Sequence, residues 1–162
     1  MKKYIPLLIA VSLLDAGCAP SASRVSTTIP MPYMTNIVKE TMENTNFRKV
    51  LFTGANSQLV IMNIPPGGEV GLETHKHVEQ TLFFLSGNGE AILNGETSPI
   101  MAGDVVVVTP GTTHNFTNTG KTDLKIYTVY APPNHIDGIV EKTKADADAD
   151  TADEAFGQAA GE

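Results

Sequence analysis

Five side chains of this chain have the chemical types that bind metal ions in proteins. Glu73, His75, His77 and Gln80 lie in the segment LETHKHVEQTLFFLSG, and His114 follows in THNFTN. Imidazole nitrogens and carboxylate or amide oxygens are ligands for divalent iron, manganese, nickel, copper and zinc. These residues indicate a site for one divalent metal ion or, if they only decorate turns, a group of solvent-exposed histidines.

The spacing of these residues is that of β-strands, in which alternate side chains share a face. In EVGLETHKH, one face holds Glu73, His75 and His77. Gln80 and His114 each share a face with apolar residues, namely Leu82, Phe84 and Phe116. A barrel that is apolar inside and polar at its mouth would show this mixture, so these residues are predicted to line such a mouth.

Short strands must position these side chains, because the apolar residues between positions 36 and 132 come in short bursts. Each burst is rich in β-branched or aromatic residues and ends at Gly, Pro, Asn or Asp, as in QLVIMNI, DVVVVT and LKIYTVYA. Asn94-Gly95 predicts a two-residue hairpin turn, whereas NIVKETMEN has the spacing of a short helix. About nine short strands favour an all-β antiparallel sandwich or barrel, which can hold a small ligand in its mouth.

Two motifs bounded by glycines contain the candidate ligands. In the first motif, five residues separate Gly67 from Glu73, and the motif continues with His75, Gln80 and Gly87. The second motif contains a glycine, a proline-glycine pair, a histidine and an asparagine: Gly103, Pro110, Gly111, His114 and Asn118.

These two motifs resemble those of the cupin superfamily, in which the first has two histidines and a glutamate and the second a proline and a histidine. Glu73 stands where the family has its first histidine, Gln80 where it has the glutamate, and Thr109 where it has the proline. The resemblance, to small single-domain bacterial cupins, implies a double-stranded β-helix, also called a jelly-roll or cupin barrel. It also implies one divalent metal ion (iron, manganese, nickel or zinc) and a homodimer.

Two alignments with the family compete. The alignment that keeps every gap implies the ligand set Glu73, His75, Gln80 and His114, and leaves His77 at the rim. The other alignment pairs His75 and His77 with the two family histidines, which makes His77 a ligand but brings Gln80 one residue early. Two histidines and one carboxylate with open positions form the pattern of non-haem iron oxygenases. The alternative is a cupin that has lost its metal and keeps these groups as a polar cluster.

The implied activity is that of a metal-dependent dioxygenase, isomerase or lyase acting on a small molecule. Glu79, or Glu73 if it is not a ligand, is the candidate general base. The motifs contain no arginine to bind a carboxylate or phosphate, which favours a small neutral substrate. The alternatives are a non-catalytic module that binds a small ligand or metal, and a structural dimer. His135 is expected either in an exposed loop or reaching back over the barrel mouth.

Charge and cysteine content exclude several classes of protein. The formal net charge of -7 argues against a nucleic acid as partner, because phosphate binding needs a basic face. Cys18 is the single cysteine, so the domain can form neither an internal disulfide nor a thiolate metal site.

Both ends of the chain are predicted to lie outside a folded domain at residues 36–140. Residues 1–18, MKKYIPLLIAVSLLDAGC, have two lysines and an apolar run too short to span a bilayer, as in a secretory signal. Their end, Ala16-Gly17-Cys18, resembles a bacterial lipoprotein signal, although Asp15 departs from that pattern. Lipidation of Cys18 would leave an exported protein, periplasmic or anchored to the membrane by this lipid alone; simple cleavage is the alternative. Residues 19–35 are predicted to form a linker, and residues 141–162 a disordered acidic tail.

Overall fold

The computed structural model of the protein describes residues 31–160. The strands are β1 Arg48–Thr53, β2 Gln58–Ile64, β3 Glu73–Thr74, β4 Glu79–Ser86, β5 Asn88–Leu93, β6 Glu96–Met101, β7 Val105–Val108, β8 Thr113–Thr117, β9 Leu124–Ala131 and β10 Val140–Glu141. The helices are α1 Ile37–Glu43, α2 Lys144–Ala149 and α3 Thr151–Ala159. The predicted leader and most of the predicted linker lie outside the described residues.

The strands form two antiparallel sheets around one apolar core. One sheet has the strand order β10-β1-β2-β9-β4-β7, and the other has the order β3-β8-β5-β6. The core takes buried side chains from both sheets, including Val60, Leu82, Ile126, Ala91 and Phe116. The prediction of an all-β antiparallel fold is therefore confirmed.

Strand β4 shows how the alternation of side chains builds the interior. Gln80, Leu82 and Phe84 are at most 1% exposed, so they point into the core as their spacing predicts. Phe83 points the other way and stacks on Tyr127 with 4.5 Å between the ring centroids.

The predicted hairpin turn and the predicted short helix are both present. Asn94 and Gly95 have φ angles of 50° and 85° in the turn between β5 and β6, as a two-residue hairpin turn requires. The predicted short helix is α1, where the side chain of Asn36 accepts a hydrogen bond from the backbone N–H of Lys39 at 3.1 Å. Among residues 31–160, no helix combines the length and apolar character needed to cross a membrane.

Gly87, which follows β4, occupies a position that tolerates no side chain. Its φ of 84° disfavours other residues, and a Cβ atom there would lie 2.6 Å from the carbonyl oxygen of Asp123. Gly95 has nearly the same φ, 85°, but open space around it. We expect Gly87→Ala to lower the free energy of unfolding by more than about 3 kcal/mol, and Gly95→Ala by about 1 kcal/mol, in urea denaturation. Equal losses would show that the close approach to Asp123 does not matter.

The segment after β10 is folded, so the prediction of a disordered acidic tail is wrong for residues 141–160. Thr143 and Asp146 form a capping box at the start of α2, and the side chain of Asp150 accepts hydrogen bonds from two backbone N–H groups of α3. Strand β10 also pairs with β1, so the folded region extends past residue 140. The prediction weighed only apolar burial, whereas capping, the helix propensity of alanine and a buried ion pair of Asp153 stabilise this segment.

Candidate metal centre

Strand pairing and one loop bring three of the predicted ligands together. Glu73 of β3 lies directly opposite His114 of β8 in the antiparallel register. His75 follows β3, and its carbonyl oxygen accepts a hydrogen bond from the N–H of Gly111 at 2.8 Å. Gly111 has a φ of 81° in the turn before β8. This turn therefore holds the backbone of His75 close to the strand that carries His114.

The side chains of Glu73, His75 and His114 converge at one point. One ligand atom from each residue lies within 4.8 Å of the other two. The Oε2 atom of Glu73 is 3.4 Å from Nε2 of His75 and 3.9 Å from Nε2 of His114. An atom bound to all three at about 2.0–2.2 Å requires donors at such separations, so small shifts would complete a metal-binding triad.

Buried polar atoms without a hydrogen-bond partner fit a metal ion at this point. Within residues 31–160, these atoms include Nε2 of His75, Nε2 of His114 and Oε1 of Gln80. Buried polar groups normally have partners, because leaving them unpaired costs about 1–3 kcal/mol each. A metal ion at this point would give the two imidazole nitrogens the partner that they lack.

The tautomer of His114 suits this role. Its Nδ1–H donates a hydrogen bond to the carbonyl oxygen of Thr112 at 3.0 Å, since a carbonyl can only accept. Burial lowers the pKa of the His114 imidazole, although the Thr112 carbonyl and Glu73 oppose the shift. The neutral ring then presents the lone pair of Nε2 to the site.

Glu73 is held in its charged form. Burial alone would raise the pKa of its carboxyl group, but the close His75 imidazole and the Arg48 guanidinium outweigh burial and lower it. The carboxylate is therefore ionised at neutral pH and supplies the one negative charge of the triad.

The remaining predicted site residues are placed differently. Gln80 is 1% exposed, points inward and pairs with Tyr130 of β9. The ring centroid of Tyr130 is 6.1 Å from that of His75. His77 is exposed and lines the cavity at its rim, outside the triad. Glu79, the predicted general base, is exposed on the face of β4 opposite to Gln80 and does not point towards the triad. The parity of the strand turns it away from the interior.

The site contains an arginine that the motifs did not indicate. Arg48 of β1 places Nη2 3.8 Å from Oε1 of Glu73, with its side chain only 8% exposed. Its alternation with buried Val50 puts a charged residue on an apolar face of β1. That pattern is the signal by which the sequence could have revealed Arg48.

His135 is buried, so the expectation of an exposed loop histidine is wrong. Gln58 anchors the backbone of His135, accepting from its N–H at 3.0 Å and donating to its carbonyl at 2.7 Å. The Nδ1–H of His135 donates to Oδ2 of Asp153 at 2.7 Å. His135 therefore reaches over the barrel mouth, the alternative that its sequence position left open.

A cavity of about 770 Å³ opens above the triad. One wall contains Glu73, His75 and His77, and the opposite wall comes from the helices α2 and α3. A cavity of this size accommodates a small organic molecule. The C-terminal segment, which was predicted to be disordered, is therefore part of the site.

Comparisons with known proteins agree with this architecture. Residues 60–130 match the family model described as Cupin domain. The uncharacterized protein YrkC of Bacillus subtilis is 41% identical over 125 residues, which cover 73% of this chain and 67% of that protein. The crystal structure of BH2720 from Bacillus halodurans is 37% identical with a TM-score of 0.73, covering 74% of this chain and 96% of that one. An uncharacterized Klebsiella pneumoniae protein with a double-stranded β-helix domain is 25% identical with a TM-score of 0.56, covering 69% and 100%.

Proposed function

This chain belongs to the cupin superfamily, with its all-β double-stranded β-helix, and we propose that it binds one divalent metal ion and converts a small molecule in the cavity above it. The observation that carries this proposal is the convergence of donor atoms from Glu73, His75 and His114 within 4.8 Å. Two of these donors are imidazole nitrogens that are otherwise unpaired.

The donor set suits iron, manganese, nickel or zinc. Two imidazoles and a carboxylate leave coordination positions open for a substrate, and Gln80 is a neutral fourth donor from the interior. The usual family set of three histidines and one glutamate carries the same total charge as this set, because Glu73 replaces a histidine where Gln80 replaces a glutamate. A bound divalent ion would supply a Lewis acid that polarises a carbonyl or hydroxyl group.

The residues around the triad favour a small substrate without a strong negative charge. Arg48 is the one arginine within residues 31–160, and its guanidinium already contacts the carboxylates of Glu73, Glu141 and Asp153. A carboxylate or phosphate on the substrate would have to displace one of them. The buried rings of Phe116 and Tyr130 lie next to the two histidines and make the interior side of the site apolar.

The first experiment is elemental analysis of the purified full chain after reconstitution with each of the four metals. We expect about one equivalent of bound metal, followed by turnover of members of a panel of small carbonyl and hydroxyl compounds. A chain that takes up no metal under any of these conditions would overturn the proposal.

A non-catalytic binding module is the second candidate, and one observation favours it. Glu79, the carboxylate predicted as general base, faces solvent, and Arg48 contacts both the half-buried Glu73 and the buried Asp153. A protein of this kind would capture metal and a small ligand tightly without converting the ligand. Isothermal titration together with product analysis distinguishes the two candidates.

Export and dimerisation are further parts of the proposal. The leader-like residues 1–18 and Cys18 support an exported lipoprotein in the periplasm or on a membrane surface. Strand β7 ends the six-stranded sheet and exposes Val105 and Val107 by 54% and 51%, which supports a homodimer through this edge. Mass spectrometry of the mature N-terminus and light scattering test these two points.

A further inference from the structure

Arg48 connects the metal triad to the C-terminal helices. Its guanidinium lies 3.8 Å from Oε1 of Glu73, 3.2 Å from Oε2 of Glu141 and 3.4 Å from Oδ2 of Asp153. These carboxylates belong to β3, β10 and α3. One buried cation therefore faces a candidate metal ligand on one side and the C-terminal segment on the other.

The attachment of α3 depends on Asp153. Asp153 is the buried residue of α3, and α2 has no buried residue. Its Oδ1 accepts a hydrogen bond from the N–H of Ile136 at 2.7 Å, and its Oδ2 accepts one from Nδ1–H of His135 at 2.7 Å. This carboxylate is the buried charged contact of the helix with the barrel, beside the packing of Ala160 against the core.

Helix α3 also forms a wall of the cavity. Asp153, Gly157 and Gln158 line it opposite the triad. The backbone at Gly157 comes so close to the barrel that a Cβ atom there would lie 2.9 Å from the carbonyl oxygen of Asn134. The wall is therefore present only while α3 is docked.

We propose that Arg48 is a positioning residue that couples metal binding at Glu73 to docking of α3 at Asp153. This inference rests on the proposed metal site. The guanidinium of Arg48 lies closer to Glu141 and Asp153 than to Glu73. The oxygens of Glu73 therefore remain available to a metal ion. Without Asp153, the guanidinium pairs more closely with Glu73 and competes with the metal.

The coupling acts in both directions. A metal ion that takes the charge of Glu73 weakens its attraction for Arg48 and leaves the guanidinium to Asp153. Metal binding therefore strengthens the docking of α3 by the same factor by which docking strengthens metal binding. Helix α3, which forms one wall of the cavity, is therefore held more firmly when a metal ion is bound.

The test compares Zn²⁺ affinity, measured by competition with a chelator, in the full chain and in two variants. Asp153→Asn is expected to weaken Zn²⁺ binding roughly tenfold. Glu154→Gln removes the same charge from the next residue of α3. The exposed side chain of Glu154 also lines the cavity, but it is not among the three carboxylates that Arg48 contacts. This variant is expected to change the affinity less than about twofold. Equal losses in both variants would mean that long-range charge alone acts, and no loss in Asp153→Asn would overturn the coupling.

Hydrogen exchange of the α3 amides tests the coupling separately, because a residue that only stabilises the fold would not make this exchange depend on Zn²⁺. In the wild type, saturating Zn²⁺ is expected to slow exchange of the α3 amides roughly tenfold. In Arg48→Lys the charge stays, but one ammonium group cannot bridge Glu73 and Asp153, so Zn²⁺ is expected to leave the exchange of α3 unchanged. If Zn²⁺ protects α3 equally in both proteins, Arg48 is not the coupling residue. A wild type that binds none of the four metals overturns the proposed function together with this inference, whereas normal metal binding without coupling overturns this inference alone.

Discussion

Replacing His75 with alanine is expected to lower the affinity for a divalent metal ion by more than about a hundredfold. Loss of a group that only orients a ligand typically costs 10–100-fold in metal affinity, and His75 is itself one of three converging donors. His114→Ala is expected to have an effect of the same size, because its Nε2 faces the same point. Chelator competition, with elemental analysis of the purified variants, measures both.

His77→Ala is the matched control for His75→Ala. It removes the same side chain two residues further along, where it is exposed and lies outside the triad. We expect it to retain about one equivalent of metal. Loss of metal in His77→Ala with retention in His75→Ala would instead support the alignment in which His75 and His77 are the paired ligands. It would also mean that the loop after β3 rearranges when metal binds.

Phe84→Ala is expected to lower the free energy of unfolding by about 3–5 kcal/mol. Phe84 is 1% exposed, and its ring lies 5.6 Å from that of Phe116 between the two sheets. Removing the ring leaves a cavity that the surrounding strands cannot close, because both sheets are held by their hydrogen-bond ladders. Urea denaturation followed by circular dichroism measures the loss.

The adjacent phenylalanine provides the comparison for this prediction. Phe83 is only partly buried and stacks on Tyr127 on the outer face of the sheet, so Phe83→Ala is expected to cost about 1 kcal/mol. The difference between the losses of unfolding free energy in Phe84→Ala and Phe83→Ala isolates the contribution of packing in the interior. A larger loss in Phe83→Ala would mean that the outer face is covered in solution, as it would be in a dimer.

Much of the barrel could be predicted because its signals are local. Strand alternation placed Gln80, Leu82 and Phe84 inward, and Asn94-Gly95 marked the hairpin turn. These features depend on backbone geometry over a few residues, which neighbouring residues determine. The spacing from Glu73 to His75 likewise predicted two side chains on one face, and both reach the triad.

Other parts of the site depend on contacts between distant residues. Arg48 and Asp153 are 105 positions apart, and Gln58 binds the backbone of His135 across 77 positions. No local pattern reports such pairs, so Asp153 looked like one more acidic residue of a solvated tail. The exposed position of Glu79 could have been predicted from strand alternation, because its neighbour Gln80 faces inward.

The amino-acid sequence was thus sufficient for the all-β class, the inward face of β4 and the set of residues from which the triad is drawn. The folded chain was needed to show which ligands meet, that Arg48 stands beside Glu73, and that the acidic C-terminal segment forms two helices along the cavity. The physical reason is that hydrophobic alternation and turn geometry act between neighbours in the chain. Ion pairs in a buried site instead depend on where the fold brings distant charges together, and a few such contacts outweighed the weak tendency of an acidic, alanine-rich segment to remain unfolded.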